Sequence, residues 1–185
     1  MSDKKTSGAT SVEVLTEFRG TDLNDLCDAA EAAIADGGGF GWVKRPPRHI
    51  MEAYWKGVLL VPDRRVFVAR LDGTVAGSAV LIRPPRNNEA QAFAAQLTGM
   101  FVAPWGRGRG LGRQIVELVE TIARELGVEV LNLDVRDTQG AAIRLFESMG
   151  YRRWGRHPAY ARVGGKILSG HFLWKPLAAS LQGEL

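Results

Sequence analysis

Cysteine is almost missing from this sequence: Cys27 stands alone among 185 residues. That excludes an intramolecular disulfide and a metal site built from cysteines. Its place in an apolar helical stripe marks it as a core residue rather than a reactive thiol. Long apolar runs are missing too. None approaches the ~20 residues of a membrane span, and the polar run 1–11 lacks the apolar stretch of a signal peptide. These absences predict a cytoplasmic chain with no membrane partner and no metal. Internal repeats are lacking, as is any linker long enough to separate two domains.

A concentrated charge of one sign is also missing. Lysine and arginine number 24 against 20 acidic residues, a net charge of +4, which favours anionic partners only weakly. A nucleic-acid binder gathers its basic residues along one face, often with aromatics between them. The densest basic run here, Arg107, Arg109 and Arg113, coincides instead with a glycine loop. A localised phosphate ligand accounts for that placement, and nucleic acid does not.

What is present suits one globular domain: 45% hydrophobic and 24% charged residues. Residues 1–11 are expected to be disordered or loosely attached, 12–177 to form the domain and 178–185 a tail. Val12, Val14, Leu15 and Phe18 suggest a first strand. A helix capped at Thr21 or Asp22 carries Leu23, Leu26, Cys27, Ala30 and Ile34 on one side and stops at Gly37-Gly38-Gly39. A second helix holds Ile50, Met51, Tyr54, Trp55, Val58 and Leu59. Strands over 66–71 and 74–82 flank Asp72-Gly73, a two-residue hairpin signal. A strand over 92–102 contains Gly99, a candidate bulge. The clearest helix repeats Leu111, Ile115, Leu118, Val119, Ile122 and Leu126 on one face. A strand over 128–135, a helix around Ala142–Met149 and a final antiparallel pair, 151–154 with 166–174, complete the chain. This order predicts an α/β (α+β) domain with a mixed, mostly antiparallel sheet.

A strand that runs into a glycine-rich turn and then a helix offers free backbone N–H groups, and the helix dipole adds positive potential. Which phosphate ligand belongs there follows from spacing. A dinucleotide turn needs G-x-G-x-x-G, but the last position holds Leu111 counted from Gly106 and Arg113 counted from Gly108. A Walker loop needs Gly-Lys before Ser or Thr, and no such triplet occurs. The pattern that does fit is Arg-x-x-Gly-x-Gly at residues 107–112.

At these residues the chain resembles a known family. The run Val102-Ala103-Pro104-Trp105-Gly106-Arg107-Gly108-Arg109-Gly110-Leu111-Gly112 is similar to the acetyl-CoA motif of the GCN5-related N-acetyltransferase (GNAT) superfamily. The downstream Leu133-Asp134-Val135-Arg136, Ala142-Ile143-Arg144-Leu145-Phe146 and Met149-Gly150-Tyr151 look like that superfamily's second signature. A narrower likeness, to tabtoxin-resistance acetyltransferases, runs through Gly39-Phe40-Gly41-Trp42, Tyr54-Trp55, residues 156–161 and residues 172–177.

The resemblance implies an acetyl-CoA-dependent N-acetyltransferase acting on a primary amine of a small molecule, by direct attack in a ternary complex. Its rivals are a protein or peptide N-acetyltransferase and a coenzyme A-binding module without catalysis. It implies two central strands splayed apart and, often, a homodimer. Met100, Phe101 and Val102 would hold the pantetheine arm by their backbone. Arg107, Gly108, Arg109, Gly110, Leu111, Gly112 and Arg113 would surround the pyrophosphate. Gln139 takes the place of an asparagine that touches coenzyme A, and Phe146 that of a tyrosine that protonates the departing thiolate. Tyr160 and His157 are then alternative acids, with His157 also a candidate substrate contact.

The chemistry requires a base, because an amine is protonated at neutral pH. Alternation along 128–135 puts Asn132, Asp134 and Arg136 on one face and Leu131, Leu133 and Val135 on the other. Asp134 is therefore the expected base or water-holder, unless it merely pairs with Arg136 or Arg144. The resemblance places a second carboxylate on the preceding strand, where this chain has Gln96, able to orient water or substrate but not to take a proton. Trp55, with Trp42 or Tyr54, is a candidate lining of the acceptor site.

Overall fold

A computed structural model describes residues 8–38 and 41–181. Strands β1 (Thr10–Leu15), β2 (Arg64–Leu71), β3 (Thr74–Ile82), β4 (Ala94–Val102), β5 (Val130–Arg136), β6 (Arg152–Val163) and β7 (Lys166–Pro176) form a seven-stranded sheet in the order β1-β2-β3-β4-β5-β7-β6. Helices α1 (Asp22–Ala35), α2 (Arg48–Leu60), α3 (Leu111–Glu125) and α4 (Gly140–Ser148) cover it. Every neighbouring pair of strands is antiparallel except β4 and β5. The expected mixed, mostly antiparallel α+β sheet is therefore the one formed. Among the described residues no helix is long and apolar enough to cross a membrane.

Two cores form because the strands alternate. Val66 and Val68 face α1 and α2, together with Leu26, Cys27, Met51 and Trp55. Phe67 and Ala69 face the other way, onto Leu111, Ile115 and Val119 of α3. On β5, Leu131, Leu133 and Val135 belong to this second core, which Ile143 and Phe146 of α4 complete. The face holding Asn132, Asp134 and Arg136 is thus turned away from α3 and α4.

Local chemistry fixes the turns. Asp72 and Gly73 have φ of 49° and 84°, the paired positive values of a tight hairpin. Gly99 forms the expected bulge: Ser78 pairs with Phe101 and Val80 with Thr98, so Gly99 and Met100 oppose Ala79 alone. The extra residue reverses which face the strand presents. Leu97 accordingly packs on the α3 side and Phe101 on the α1/α2 side.

Several boundaries differ from expectation. β1 starts at Thr10, inside the stretch expected to be loose, because the Ala9 N–H donates to Asp72 Oδ1 and the Asp72 N–H to Ala9 O, both at 2.8 Å. The last strand pair is far longer than its apolar pattern suggested, and residues 156–161, beyond the expected strand over 151–154, lie within β6. Gly39 and Phe40 of the narrower likeness lie outside the described residues, as do residues 182–185 of the expected tail.

Trp55 is corrected outright. Met51, Trp55 and Val58 recur at helical spacing and bury the same face of α2. The indole is fully buried, 5.0 Å from the Tyr54 ring and 6.3 Å from Phe101, and belongs to the core instead of the acceptor site. Trp55→Ala is expected to lower the unfolding free energy by about 3–5 kcal/mol, measured as a shift of the urea midpoint at unchanged slope.

Candidate active site

β4 and β5 pair only at Ala94↔Val130, Ala95↔Leu131 and Gln96↔Asn132. Beyond Gln96 they part. β3 holds β4 on its outer side and β7 holds β5, so the gap is built into the sheet. A cleft of about 980 Å³ fills it and continues over the glycine loop.

The loop end of the cleft comes from the turn after β4. Gly108 and Gly110 have φ of 75° and 77°, a left-handed conformation that side chains disfavour. A Cβ on Gly112, by contrast, would stand 3.1 Å from Leu145 and 3.5 Å from Met100, so this glycine lets α3 approach β4 and α4. The first α3 amide bonded within the helix is that of Gln114, to Gly110 O at 3.1 Å. The amides before it have no helical acceptor. Arg107, Gly108, Gly110, Leu111, Gly112 and Arg113 all line the cleft, as do Met100, Phe101, Val102, Gln139 and Phe146. Arg109, expected with them, is exposed and outside the lining.

Two lining residues reach across to the end of α1. Arg107 Nη1 meets Asp36 Oδ2 at 2.5 Å while its Nε donates to Val102 O at 3.2 Å. Gln139 Nε2 donates to Gly37 O at 2.9 Å. Both contacts draw the C-terminal end of α1 across the cleft. Arg113 Nη2 donates to Ser148 Oγ at 2.8 Å.

At the fork itself stands Asp134. Gln96 Nε2 donates to its Oδ1 at 2.8 Å, and the Tyr160 hydroxyl donates to its Oδ2. Neither Arg136 nor Arg144 forms an ion pair with it among the described residues. Three residues expected from separate parts of the sequence are therefore one hydrogen-bonded group. Burial, then the hydrogen bond to Asp134, push the Tyr160 phenol above its ordinary value, so it stays a donor.

Tyr160 reaches Asp134 through a feature that sequence reading missed. Between His157↔Gly170 and Ala161↔Leu168, β6 has three residues where β7 has one. This bulge throws Tyr160 out of the ladder and over Gly170, where an added Cβ would stand 2.4 Å from the ring. Pro158, lacking an N–H, is tolerated because β6 is an edge strand. His157 is corrected by the same geometry. It is exposed and outside the cleft lining, and its Nδ1 accepts the Ala159 N–H at 3.1 Å, bracing the bulge instead of touching the site.

Known proteins match the chain along most of this architecture. The profile described as the acetyltransferase (GNAT) family matches residues 29–151. An uncharacterised N-acetyltransferase from the hisH–hisA intergenic region of Azospirillum brasilense is 60% identical over 129 residues, 70% of this chain and 77% of that protein. The N-alpha-acetyltransferase RimI of Mycobacterium tuberculosis is 33% identical over 107 residues, 58% of this chain and 64% of that one. A putative acetyltransferase, yncA, of Salmonella typhimurium, solved with its cofactor acetyl-CoA, superposes with a TM-score of 0.75 at 20% identity, over 92% of this chain and 95% of its own.

Gly170→Val is expected to displace the Tyr160 ring and break its bond to Asp134 while the strands stay paired. The tyrosine's ultraviolet absorbance titration reads this: in the variant the phenol ionises closer to its ordinary value of 10, whereas an unchanged titration would show that the ring does not depend on Gly170.

Proposed function

This chain belongs to the acetyltransferase (GNAT) family, and from that premise we propose that it moves an acetyl group from acetyl-CoA to a primary amine of a small molecule, by direct attack within a ternary complex. The observation that carries the proposal is the Gln96–Asp134–Tyr160 group at the fork of β4 and β5, beside the glycine loop.

The residues present fit coenzyme A. An extended arm is accommodated where Met100–Val102 lose their β5 partner. The amides ahead of Gln114 and the open left-handed Gly108 and Gly110 suit the pyrophosphate, and Arg107 and Arg113 add charge. Acetyl-CoA supplies the acetyl group as a thioester, which an unprotonated amine attacks. Asp134 takes the proton from the amine. A carboxylate has about four lone-pair sites. Gln96 and Tyr160 occupy one on each oxygen, which fixes the side chain and leaves the rest toward the cleft. Once Asp134 carries the amine's proton it can return the hydrogen bond to Tyr160, whose own hydroxyl proton then passes to the departing thiolate, the acid role that Phe146 cannot fill.

The end of α1, drawn over the cleft by Asp36 and Gly37, favours a compact acceptor. The rival reading, a peptide N-terminus, draws on the 33% identity with RimI. The same proposal takes the enzyme to be cytoplasmic and homodimeric through its edge strand β6.

Thiol release from acetyl-CoA, followed with a chromogenic thiol reagent, tests the proposal against small amines and peptides. Cys27 does not interfere, since burial pushes its thiol up to about 11. Release with a small amine, falling about 10²–10⁴-fold in Asp134→Asn with acetyl-CoA binding intact, is the expected result. Release with peptides alone would establish the rival reading. Tight acetyl-CoA binding without release by any acceptor would leave a module without catalysis.

A further inference from the structure

Asp137 is the first residue after β5, three beyond Asp134. An aspartate just ahead of a helix ordinarily caps it. This one does not: the N-cap of α4 is Gln139, and the Asp137 carboxylate turns sideways, to β6 and β7. Its Oδ2 accepts from the Ser169 hydroxyl and, at 3.2 Å, from Arg156 Nη2, which also donates to Ser169 Oγ at 2.7 Å. Its Oδ1 meets His171 Nε2. The Asp137 N–H adds a bond to Ser169 O at 3.0 Å. Arg136 and Thr138 line the cleft, but Asp137 between them is outside the lining.

These partners mark out the Tyr160 bulge. Ser169 is the one β7 residue that faces Pro158, Ala159 and Tyr160. Arg156 pairs with His171 just before the bulge begins. Ser169 and His171 flank Gly170, and alternation sends their side chains to the α4 side, where Val135 also points. The opposite side of Gly170 is bare, and the Tyr160 ring lies on it. Asp137 therefore grips β7 from beneath at both neighbours of the tyrosine's seat, and Arg156 ties the near end of the bulge to the same point. Residues in a bulge lack the full ladder that fixes a regular strand, so their flanks set their place. Hydrogen bonds weaken steeply with misalignment, and the Tyr160–Asp134 bond holds only while the bulge stays where it is.

We propose that Asp137 is a positioning residue for Tyr160: through Ser169, His171 and Arg156 it clamps the bulge and its seat so that the phenol reaches Asp134. It acts from the face of the sheet opposite the reacting groups and touches neither acetyl-CoA nor the acceptor. The proposal rests on the acetyl-transfer reading for its effect on rate, while the effect on the phenol is independent of it.

The test uses Asp137→Ala, Asp137→Asn, Tyr160→Phe and the double variant of Asp137→Ala with Tyr160→Phe. All three tyrosines of the chain, Tyr54, Tyr151 and Tyr160, are held above the ordinary phenol value of 10, first of all by burial. A step near that value in the ultraviolet titration of Asp137→Ala, missing from the double variant, is therefore the released Tyr160, and it is the expected result. In the thiol-release assay kcat falls at least about tenfold in Asp137→Ala. The calorimetric Kd for acetyl-CoA stays within about twofold of the wild type. In the Tyr160→Phe background the same change alters kcat less than about twofold, because the two residues act as one unit. Asp137→Asn keeps an oxygen acceptor for Ser169 and Arg156 and rescues part of both effects; it carries the test if circular dichroism shows that the alanine variant does not fold. A wild-type titration in the Asp137 variants overturns the proposal. So does an equal loss of kcat in both backgrounds, which is what a merely structural role gives. A rise of about tenfold in the acetyl-CoA Kd also overturns it, assigning Asp137 to the cofactor end of α4. If the wild type releases no thiol with any acceptor, the transfer reading fails, and the titration alone upholds the clamp or overturns it.

Discussion

The parting of β4 and β5 is the constraint on which the rest of the structure depends. After Gln96↔Asn132 the two central strands share no further pairs, so each presents an edge of backbone N–H and C=O groups to the other across a cleft. Such edges need partners. A longer parallel ladder would satisfy them and would leave no site. β3 and β7 prevent the collapse by holding the two strands from outside, while α3 and α4 fill the space beneath. The Gly99 bulge contributes by turning Phe101 to the α1/α2 side while Leu97 stays on the α3 side. An extended polar chain laid into the fork supplies the missing partners, which is the role the proposed pantetheine arm fills.

The second theme is how a carboxylate is kept available. Asp22 shows the opposite treatment: it is buried, and Arg70 at 2.7 Å holds its carboxyl below the ordinary value. That pair, extended to Glu13, ties β1, α1 and β2 together and suits a structural acid. Asp134 is gripped by an amide and a phenol, both neutral. They fix its orientation through one hydrogen bond on each oxygen. Arg136 follows two residues on along the same face of β5 and also lines the cleft.

Much of this was legible in the chain. Asp72-Gly73, the Gly99 bulge, the α3 stripe and the Arg-x-x-Gly-x-Gly loop are local signals whose physics does not depend on the rest of the fold. Asp134 followed from strand alternation and from the resemblance. Tyr160 was named, but its partner was not, because the bond depends on a bulge and on the bare surface of Gly170, both set by pairing with another strand. β6 hid for a related reason. Its residues are polar on both faces and include Pro158, so the alternation that marks a half-buried strand is missing, although Gly164-Gly165 was a hairpin signal left unread. Trp55 misled because an aromatic at helical spacing reads alike as core or as lining. The Arg107–Asp36 and Gln139–Gly37 contacts join segments far apart in sequence and left no trace in it.

Hydrogen exchange with and without acetyl-CoA tests the central claim most directly. If the fork and the glycine loop are the bed for the cofactor, the amides of residues 100–102 and 108–113 slow on binding, while those at the paired positions 94–96 and 130–132 barely change. Slowing confined to other surfaces, or an unchanged fork at saturating acetyl-CoA, would contradict the account.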